Sequence, residues 1–346
     1  MSMNKKALFL GAGFSKSINN RYPTLSELTQ QVLKGDSCLP SIENTMYAQC
    51  YAHIPAFFKT NLETLLNYLN QEWPWIDGET YYLHHALYLD LLNRIIEIFD
   101  SLKYRADLPK YKFFAEWICN NHIDIVTLNY DTLVEEIIDD WHRETDYKMF
   151  NMAEVYSDGG ILPLKSRGIL MDTEIVIAQS NEQCRYFVPP HIYKLHGSVN
   201  WKWAGKNQSD PIYCSWDAYP DKRGTDLIPY IIPPVNNKQL FYGHTVISSI
   251  WKQAFKALVF ADELYVIGFS FPFSDTSLQY MFNALLQEKQ NLKVFVINTE
   301  DAINPQSPHF IRDRYETVFG KKNCDFSFCC NDSVQLFLDK INNKSI

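Results

Sequence analysis

Residues 6–13 read Lys-Ala-Leu-Phe-Leu-Gly-Ala-Gly, and this stretch decides the fold. Its mostly apolar first part predicts a short buried strand, and the glycines predict a tight turn after it. A capping-box pattern, Thr24-Leu-Ser-Glu27, then predicts a helix that runs to about Lys34. A strand, a glycine turn and a helix form the first half of a βαβ unit. Such a turn can bring backbone N–H groups against a phosphate, although a plain strand-end turn explains the same glycines.

The rest of the chain continues to alternate strands with helices. Short apolar runs predict strands at 123–128, 191–195, 263–267 and 293–297. Helical patterns predict helices at 245–261, 275–288, 309–319 and 332–342. This alternation favours an α/β fold with a Rossmann-like, doubly wound and mostly parallel sheet.

Two regions interrupt the alternation. Leucine, tyrosine and isoleucine at helical spacing predict a helical insertion over residues 41–121. Frequent glycine and proline with weak periodicity predict an irregular insertion over residues 145–228. We therefore expect a single α/β domain over residues 1–346 that contains both insertions.

Composition limits the classes of function. Hydrophobic residues make up 46% of the chain, which supplies ample material for a packed core. The net charge of −8 disfavours a primary DNA or RNA binder, because phosphate contacts need clustered lysine and arginine. The N-terminal apolar run is too short for a signal peptide, and no stretch approaches the ~20 apolar residues that span a bilayer. We therefore expect a cytoplasmic protein without a membrane segment.

Cysteine and aromatic content add two expectations. The chain has 8 cysteines, and none of them forms a Cys-x-x-Cys pair. The sequence therefore predicts neither a zinc ribbon nor a thioredoxin-type redox motif, and we expect no metal. Aromatic residues reach 15%, which indicates broad aromatic packing or a surface for self-association.

Small and polar residues follow four of the predicted strands: Asn129 and Asp131, His196, Gly268 and Ser270, and Asn298. Because the carboxyl ends of parallel strands meet at one edge, where open α/β sheets bind ligands, these residues are candidates for a site. Structural explanations compete with this interpretation. Asn and Asp often make local turn bonds, a lone histidine is more often structural, and Asp275 has the position of a helix cap.

Together and in order, these motifs resemble those of sirtuins. They read Gly-Ala-Gly-x-Ser at 11–15, Thr-x-Asn-x-Asp at 127–131, Leu-His-Gly at 195–197, Gly-x-Ser at 268–270 and Ile-Asn at 297–298. The resemblance covers the Rossmann-like core and leaves the two insertions without a counterpart. Lys16 occupies the place of the third glycine in the usual dehydrogenase fingerprint, so a dehydrogenase is not indicated.

The resemblance implies NAD as the substrate and implies roles for particular residues. Those implied to hold the phosphates and the adenosine half of NAD are Gly11, Ala12, Gly13, Ser15, Gly268, Ser270 and Asn298. Those implied in the chemistry are Asn129 beside the nicotinamide ribose, Asp131 at the nicotinamide carboxamide, and His196 as a base acting through the ribose hydroxyls.

The sequence also departs from the protein deacylases that it resembles. The paired Cys-x-x-Cys motifs of their zinc ribbon are missing, and Arg21-Tyr-Pro-Thr-Leu25 stands near the place of their Gly-Ile-Pro-Asp-Phe-Arg loop. Since the ribbon helps to build the acyl-lysine channel, water becomes the expected acceptor. The expected activity is therefore that of an NAD hydrolase (NADase), which releases nicotinamide and ADP-ribose.

A zinc-less sirtuin core with a helical insertion is similar to the NAD-depleting effectors of bacterial antiphage defence. Among them it resembles the sirtuin-like subunit that assembles with a HerA-type hexameric ATPase. The resemblance implies a homo-oligomer, this ATPase as partner, and contact with nucleic acid only through the partner. Two alternatives remain open: a protein ADP-ribosyltransferase or deacylase, and a non-catalytic scaffold that senses NAD or ADP-ribose.

Overall fold

The computed structural model describes residues 4–35, 39–102, 109–143, 145, 155–156, 160–163, 189–203, 205, 207–215, 227–232, 243–271 and 275–343. Its main body is a 6-stranded sheet in which every neighbouring pair is parallel. From one edge to the other, the strands are β10 (Cys324–Asp325), β9 (Lys293–Ile297), β8 (Glu263–Ile267), β1 (Lys6–Leu10), β2 (Asp124–Thr127) and β4 (Ile192–Lys194). The α/β fold with a doubly wound parallel sheet, predicted from the sequence, is confirmed.

The order of the strands reverses at β1. The chain adds β2 and β4 on one side of β1, and it adds β8, β9 and β10 on the other. The register brings the carboxyl ends level, because Leu10 lies opposite both Thr127 and Ile267. Lys194 lies opposite Thr127, and Ile297 lies opposite Ile267. Ligands of open α/β sheets bind outside the carboxyl ends at such a reversal, so the fold places a binding crevice there.

Helices cover both faces of this sheet. One face carries α6 (Pro109–Asn120), α7 (Leu133–Arg143) and α11 (Ser333–Asn342), and the other carries α8 (Thr245–Phe260), α9 (Thr276–Glu288) and α10 (Arg312–Phe319). On the first face Tyr265 stacks on Phe295 and contacts Phe337. Phe9 points to the second face and contacts Phe282. Aromatic packing on both sides buries the strands and leaves their carboxyl ends to form the site.

Between β1 and α6 the chain forms a group of packed helices. They are α1 (Ala12–Ile18), α2 (Leu25–Lys34), α3 (Ala48–His53), α4 (Leu62–Leu69) and α5 (Gly78–Ser101). The amphipathic leucines of α4 are buried, and α2, α3 and α4 all pack against α5. Arg94 links α5 to α2 and to the segment that follows α2, because its guanidinium donates to the main-chain oxygens of Val32 and Pro40. Among the described residues, no helix combines the length and the apolar character that a membrane crossing requires.

A second sheet lies between residues 161 and 231, and most of it falls in the region 145–228, where the sequence predicts irregular structure. It has 4 strands in the order β3 (Ile161–Pro163), β6 (Ile212–Cys214), β5 (Gly197–Trp203) and β7 (Ile228–Ile231). The long helix α5 packs against β5 and β7. Most of these strands are too short to show a clear alternation of apolar and polar residues. Residues 164–188 and 216–226 of this region lie outside the described residues.

Candidate functional site

A cavity of about 610 Å³ opens at the carboxyl edge of the main sheet, where the strand order reverses. Its wall includes most of the residues singled out from the sequence: Gly11, Ala12, Gly13, Asn129, Asp131, His196, Gly268, Ser270 and Asn298. They come from the turns after β1, β2, β4, β8 and β9, which the parallel register brings level. The volume lies within the range of roughly 300–1,000 Å³ that is typical of small-molecule sites.

The glycines at this edge allow the turns after β1 and β8 to pack closely against each other. A Cβ atom on Gly11 would lie 2.6 Å from the main-chain oxygen of Gly268, and one on Gly13 would lie 2.8 Å from the Cα of Gly268. The N–H of Gly13 donates to Gly268 O at 2.9 Å, and the N–H of Gly11 donates to Ile267 O at 2.9 Å. These two N–H groups therefore bond within the protein. Contact between this turn and a phosphate stays a prediction.

Gly268 has a φ of 62°, a left-handed conformation that side chains rarely adopt, and a Cβ atom there would lie 2.2 Å from the main-chain nitrogen of Phe14. We expect Gly268→Ala to lower the free energy of unfolding by at least about 2 kcal/mol. Urea unfolding followed by circular dichroism measures the loss. The control is Gly78→Ala at the start of α5, where no atom lies within 4 Å of the added Cβ. An equal response of the two variants would contradict the close packing of the turns.

Ser15 lies behind the cavity wall and joins two of the candidate residues. It is 1% exposed, and it is not among the described residues that line the cavity. Its hydroxyl donates to Asp131 Oδ2 at 2.8 Å and accepts from Asn129 Nδ2 at 3.1 Å. Asn129 Nδ2 also donates to the main-chain oxygen of Gly11 at 3.0 Å. Ser15 thus joins Asn129 to Asp131 behind the wall. The ligand contact expected for it from the sequence stays a prediction.

The sequence Thr132-Leu-Val-Glu135 predicts a capping box at the start of α7, and the structure differs from it. Thr132 Oγ1 donates to Glu136 Oε1 at 2.7 Å, and the carboxylate of Glu135 is buried elsewhere. Asp131 Oδ1 instead accepts from the N–H of Leu133 at 3.2 Å. The prediction was wrong because two glutamates, Glu135 and Glu136, follow Thr132, and Glu135 is engaged in the buried contact with Lys194. Asp131 thus combines a local turn bond with its place in the cavity wall.

A fully buried lysine supports the turn that carries Asp131. The ammonium group of Lys194 donates to the main-chain oxygen of Asp131 and to Glu135 Oε1, the latter at 2.9 Å. Glu135 Oε1 also accepts from the hydroxyl of Tyr156 at 2.7 Å. Burial raises the pKa of the Asp131 carboxyl above its usual value, while the charge of Lys194 opposes that rise. Sequence reasoning missed Lys194, although a lysine inside an apolar strand signals a buried partner.

His196 faces a carboxylate across the cavity wall. Its Nε2 lies 3.6 Å from Asp275 Oδ2, and the two side chains are only 3% and 7% exposed. Asp275 also caps α9, because its Oδ1 accepts from the N–H of Leu278 at 3.4 Å. The cap interpretation made from the sequence is confirmed, but it accounts for only one of the two oxygens. The approach of Oδ2 to His196 could not be inferred from sequence spacing.

Further cavity residues come from elements that sequence reasoning did not connect with the site. Glu63 of α4 and Phe99 of α5 bring the helical insertion into the wall. At another part of the wall, Arg314 Nη1 donates to the main-chain oxygen of Ser270 at 3.2 Å. Asn298 Nδ2 donates to Phe269 O at 3.2 Å and so supports the same loop. The cavity is therefore shaped by the insertion as well as by the sheet.

Among the described residues, no group of three or more His, Cys, Asp or Glu side chains is arranged to hold a metal ion. The described cysteines are free thiols at positions 50, 119, 214, 324, 329 and 330. Cys38 and Cys184 lie outside the described residues.

Comparisons with solved structures find distant likenesses, and no curated protein matches the chain. A structure concerned with the mechanism and regulation of Sir2 enzymes shares 12% identity over 99% of this chain and 94% of that chain, with a TM-score of 0.43. A complex of a Sir2 homologue with NAD shares 12% identity over 98% of this chain and 88% of that chain, with a TM-score of 0.47. A Sir2 protein bound to acetylated peptide shares 12% identity over 99% and 93%, with a TM-score of 0.44.

The comparison with family models gives a direct assignment. A model described as a SIR2-like domain matches residues 124–319. This match runs from β2 through the second sheet and β8 to the end of α10, and it includes Asn129, Asp131, His196 and Asp275. Since it spans more than half of the sequence, the chain belongs to the SIR2-like domain family.

Proposed function

We propose that this protein is an NAD hydrolase that cleaves the bond between nicotinamide and ribose. The observation that carries the proposal is the meeting of Asn129, Asp131 and His196 in one cavity at the strand reversal. Membership of the SIR2-like family supports NAD as the substrate. The cavity volume of about 610 Å³ and its wall of apolar and polar residues suit a ligand of this class.

The reaction breaks one bond and forms another at the same carbon. The bond from C1′ of the ribose to the ring nitrogen of nicotinamide breaks, and its electron pair leaves with neutral nicotinamide. A water oxygen forms the new bond to C1′, and the proton that the water loses passes to His196 directly or through the ribose hydroxyls. Positive charge builds on the sugar in the transition state, so preorganised carboxylates in the wall lower the barrier.

We assign Asp131 to the carboxamide of nicotinamide and Asn129 to the adjoining ribose. Each oxygen of Asp131 accepts one internal hydrogen bond, from Ser15 and from the N–H of Leu133. A carboxylate has about four acceptor sites, which leaves capacity for the amide N–H groups of nicotinamide. The hydrogen bonds from Asn129 to Gly11 and Ser15 hold its side chain in one orientation. The residues proposed for the rest of NAD are Gly11, Ala12, Gly13, Gly268, Ser270 and Asn298.

Water is the proposed acceptor of the ADP-ribosyl group. This choice is supported by the sequence, which lacks the paired cysteine motifs of the zinc ribbon. It is also supported by the insertion, because Glu63 and Phe99 line the cavity beside the strand-end turns. The products are then free nicotinamide and free ADP-ribose.

We further propose that the protein is a cytoplasmic antiphage defence effector that depletes NAD when it is activated. The proposal includes a homo-oligomer and a HerA-type ATPase partner, and it rests on the sequence resemblance described above. The surface of the insertion supports self-association, because the aromatic side chains of Phe57, Trp75 and Tyr82 are 71%, 76% and 72% exposed. Aromatic residues of this kind are enriched at subunit interfaces.

The test is a measurement of nicotinamide and ADP-ribose after incubation of the purified protein with NAD, alone and with a HerA-type ATPase. We expect equal amounts of the two products. Asn129→Ala should reduce nicotinamide release at least about tenfold, because a lost interaction of about 1.4 kcal/mol in the transition state has that effect. The matched control is Asn283→Ala on the exposed side of α9. NAD that stays intact in every mixture would contradict the proposal, and ADP-ribose found attached to protein would indicate transfer instead of hydrolysis.

A further inference from the structure

The pair formed by His196 and Asp275 goes beyond the residues implied by the sequence motifs. We propose that Asp275 is a positioning residue that fixes the imidazole of His196 and stabilises the positive charge that the ring gains when it accepts a proton. The inference deepens the proposed hydrolase function and rests on it for its catalytic meaning. The geometry of the pair can nevertheless be tested separately.

The pair formed by His196 and Asp275 is buried. His196 Nε2 and Asp275 Oδ2 lie 3.6 Å apart, with side-chain exposures of 3% and 7%. Charges attract each other more strongly at such a buried site than in water. The separation is longer than a hydrogen bond, but catalytic hydrogen bonds in ligand-free structures are often long and shorten when substrate binds. The carboxylate is therefore close enough to act on the ring.

Both partners are held in place by hydrogen bonds to other parts of the fold. Asp275 is held at the start of α9, where its Oδ1 accepts from the N–H of Leu278. His196 is held through its main chain, because its carbonyl oxygen accepts from the N–H of Ile232 at 2.8 Å. The preceding carbonyl, of Leu195, accepts from Trp251 Nε1 at 3.2 Å. The two side chains are thus presented to each other by elements that belong to different parts of the fold.

The helix cap alone does not require an aspartate at position 275. The capping bond to Leu278 uses only Oδ1, and Ser, Thr or Asn would serve as well at this position. The negative charge and the second oxygen are explained by the approach of Oδ2 to His196. A carboxylate beside a histidine base orients the ring and stabilises its protonated form, which is the role of the aspartate in hydrolytic triads. The same physical effect applies here to the proton released by the attacking water.

Other titratable groups line the same cavity and remain in place when Asp275 is changed. They are Glu63, Tyr130, Asp131, His309 and Arg314. Burial raises the pKa of the Tyr130 phenol well above its usual value, so this group stays neutral across the working range. A change in pH dependence that follows substitution of Asp275 alone therefore reports on the pair.

The decisive variant is Asp275→Asn, because asparagine keeps the helix cap and removes the charge. We expect kcat for nicotinamide release to fall about 10²-fold, at the lower end of the range for general base catalysis. The KM for NAD should change little. The acid limb of the profile of kcat/KM against pH should move to lower pH, because without the carboxylate the ring stays neutral to a lower pH.

The matched control is Asp77→Asn at the cap of α5. Its Oδ1 accepts from the N–H of Thr80 at 2.8 Å, and the residue lies outside the cavity wall. We expect this variant to keep the kcat and the pH profile of the unchanged protein. Thermal unfolding of both variants checks that each retains its fold, since asparagine preserves both caps.

A second measurement separates this inference from the proposed function. The imidazole signals of His196 are titrated by nuclear magnetic resonance in the full chain and in Asp275→Asn, and the midpoint should be lower in the variant. If the protein hydrolyses NAD but the variant keeps both kcat and the acid limb, the positioning role is overturned while the function stands. If NAD stays intact in all conditions, the function fails, and an unchanged imidazole titration would then overturn the pair as well.

Discussion

Replacing His196 with glutamine is expected to lower the rate of nicotinamide release by about 10²–10⁴-fold, the range typical of a lost general base. Glutamine occupies a similar volume and can still donate a hydrogen bond to Asp275, so the wall should remain closed. This choice matters because His196 is 3% exposed, and alanine would leave a void beside a buried carboxylate. Initial rates at saturating NAD measure the effect, and thermal unfolding checks the fold.

The control for this variant is His53→Gln on α3. His53 is exposed, and its Nδ1 lies 2.7 Å from the main-chain oxygen of Gln49, at the surface of the insertion. We expect unchanged turnover in this variant. A His196→Gln protein that folds normally and keeps the full rate would remove His196 from the mechanism.

The second large effect concerns stability. Lys194→Met is expected to lower the free energy of unfolding by about 3–5 kcal/mol, because it leaves the carboxylate of Glu135 buried without its cation. Both side chains of this pair are 0% exposed. The double variant Lys194→Met with Glu135→Gln should recover a large part of the loss, because no charge is then left unpaired and the glutamine can still accept from Tyr156. Urea unfolding of the single and double variants measures both quantities.

An ion pair of similar length at the surface supplies the comparison. Lys289 Nζ lies 2.8 Å from Asp262 Oδ1, but the two side chains are 21% and 47% exposed. Lys289→Met should therefore cost about 1 kcal/mol or less. Equal losses in Lys194→Met and Lys289→Met would show that burial is not the source of the stability of the inner pair.

The main sheet could be predicted from the sequence because its strands carry strong local signals. The strand before Gly11 and the strand before Gly268 are continuous apolar runs that end at glycine, and each is followed by a helix. Parallel pairing then brings their ends together, so the edge on which Asn129 and His196 lie could be predicted as well. The order of the strands could be determined only from the structure, because no local sequence pattern indicates which strands are neighbours.

Other parts of the site depend on contacts between residues that are far apart in sequence. Lys194 and Glu135 are separated by 59 positions, and the apolar strand around Lys194 does not indicate which acidic residue is its partner. The sequence predicts only a helix cap at Asp275, and the fold also brings its side chain close to His196. The hydrogen bonds of Ser15 to Asn129 and Asp131 likewise join residues more than 100 positions apart, and no local pattern indicates them. In each case the contact depends on tertiary packing, and the neighbouring sequence does not indicate it.

The interlocked glycines have a consequence for how the substrate enters. Gly13 donates to Gly268 across a contact that has no room for a methyl group, so separation of the turns after β1 and β8 would break this hydrogen bond and expose packed atoms. We therefore expect this part of the wall to stay fixed when a ligand enters. Since Glu63 and Phe99 belong to the helical insertion, a movement of α4 or α5 would change access to the cavity without altering a reacting group.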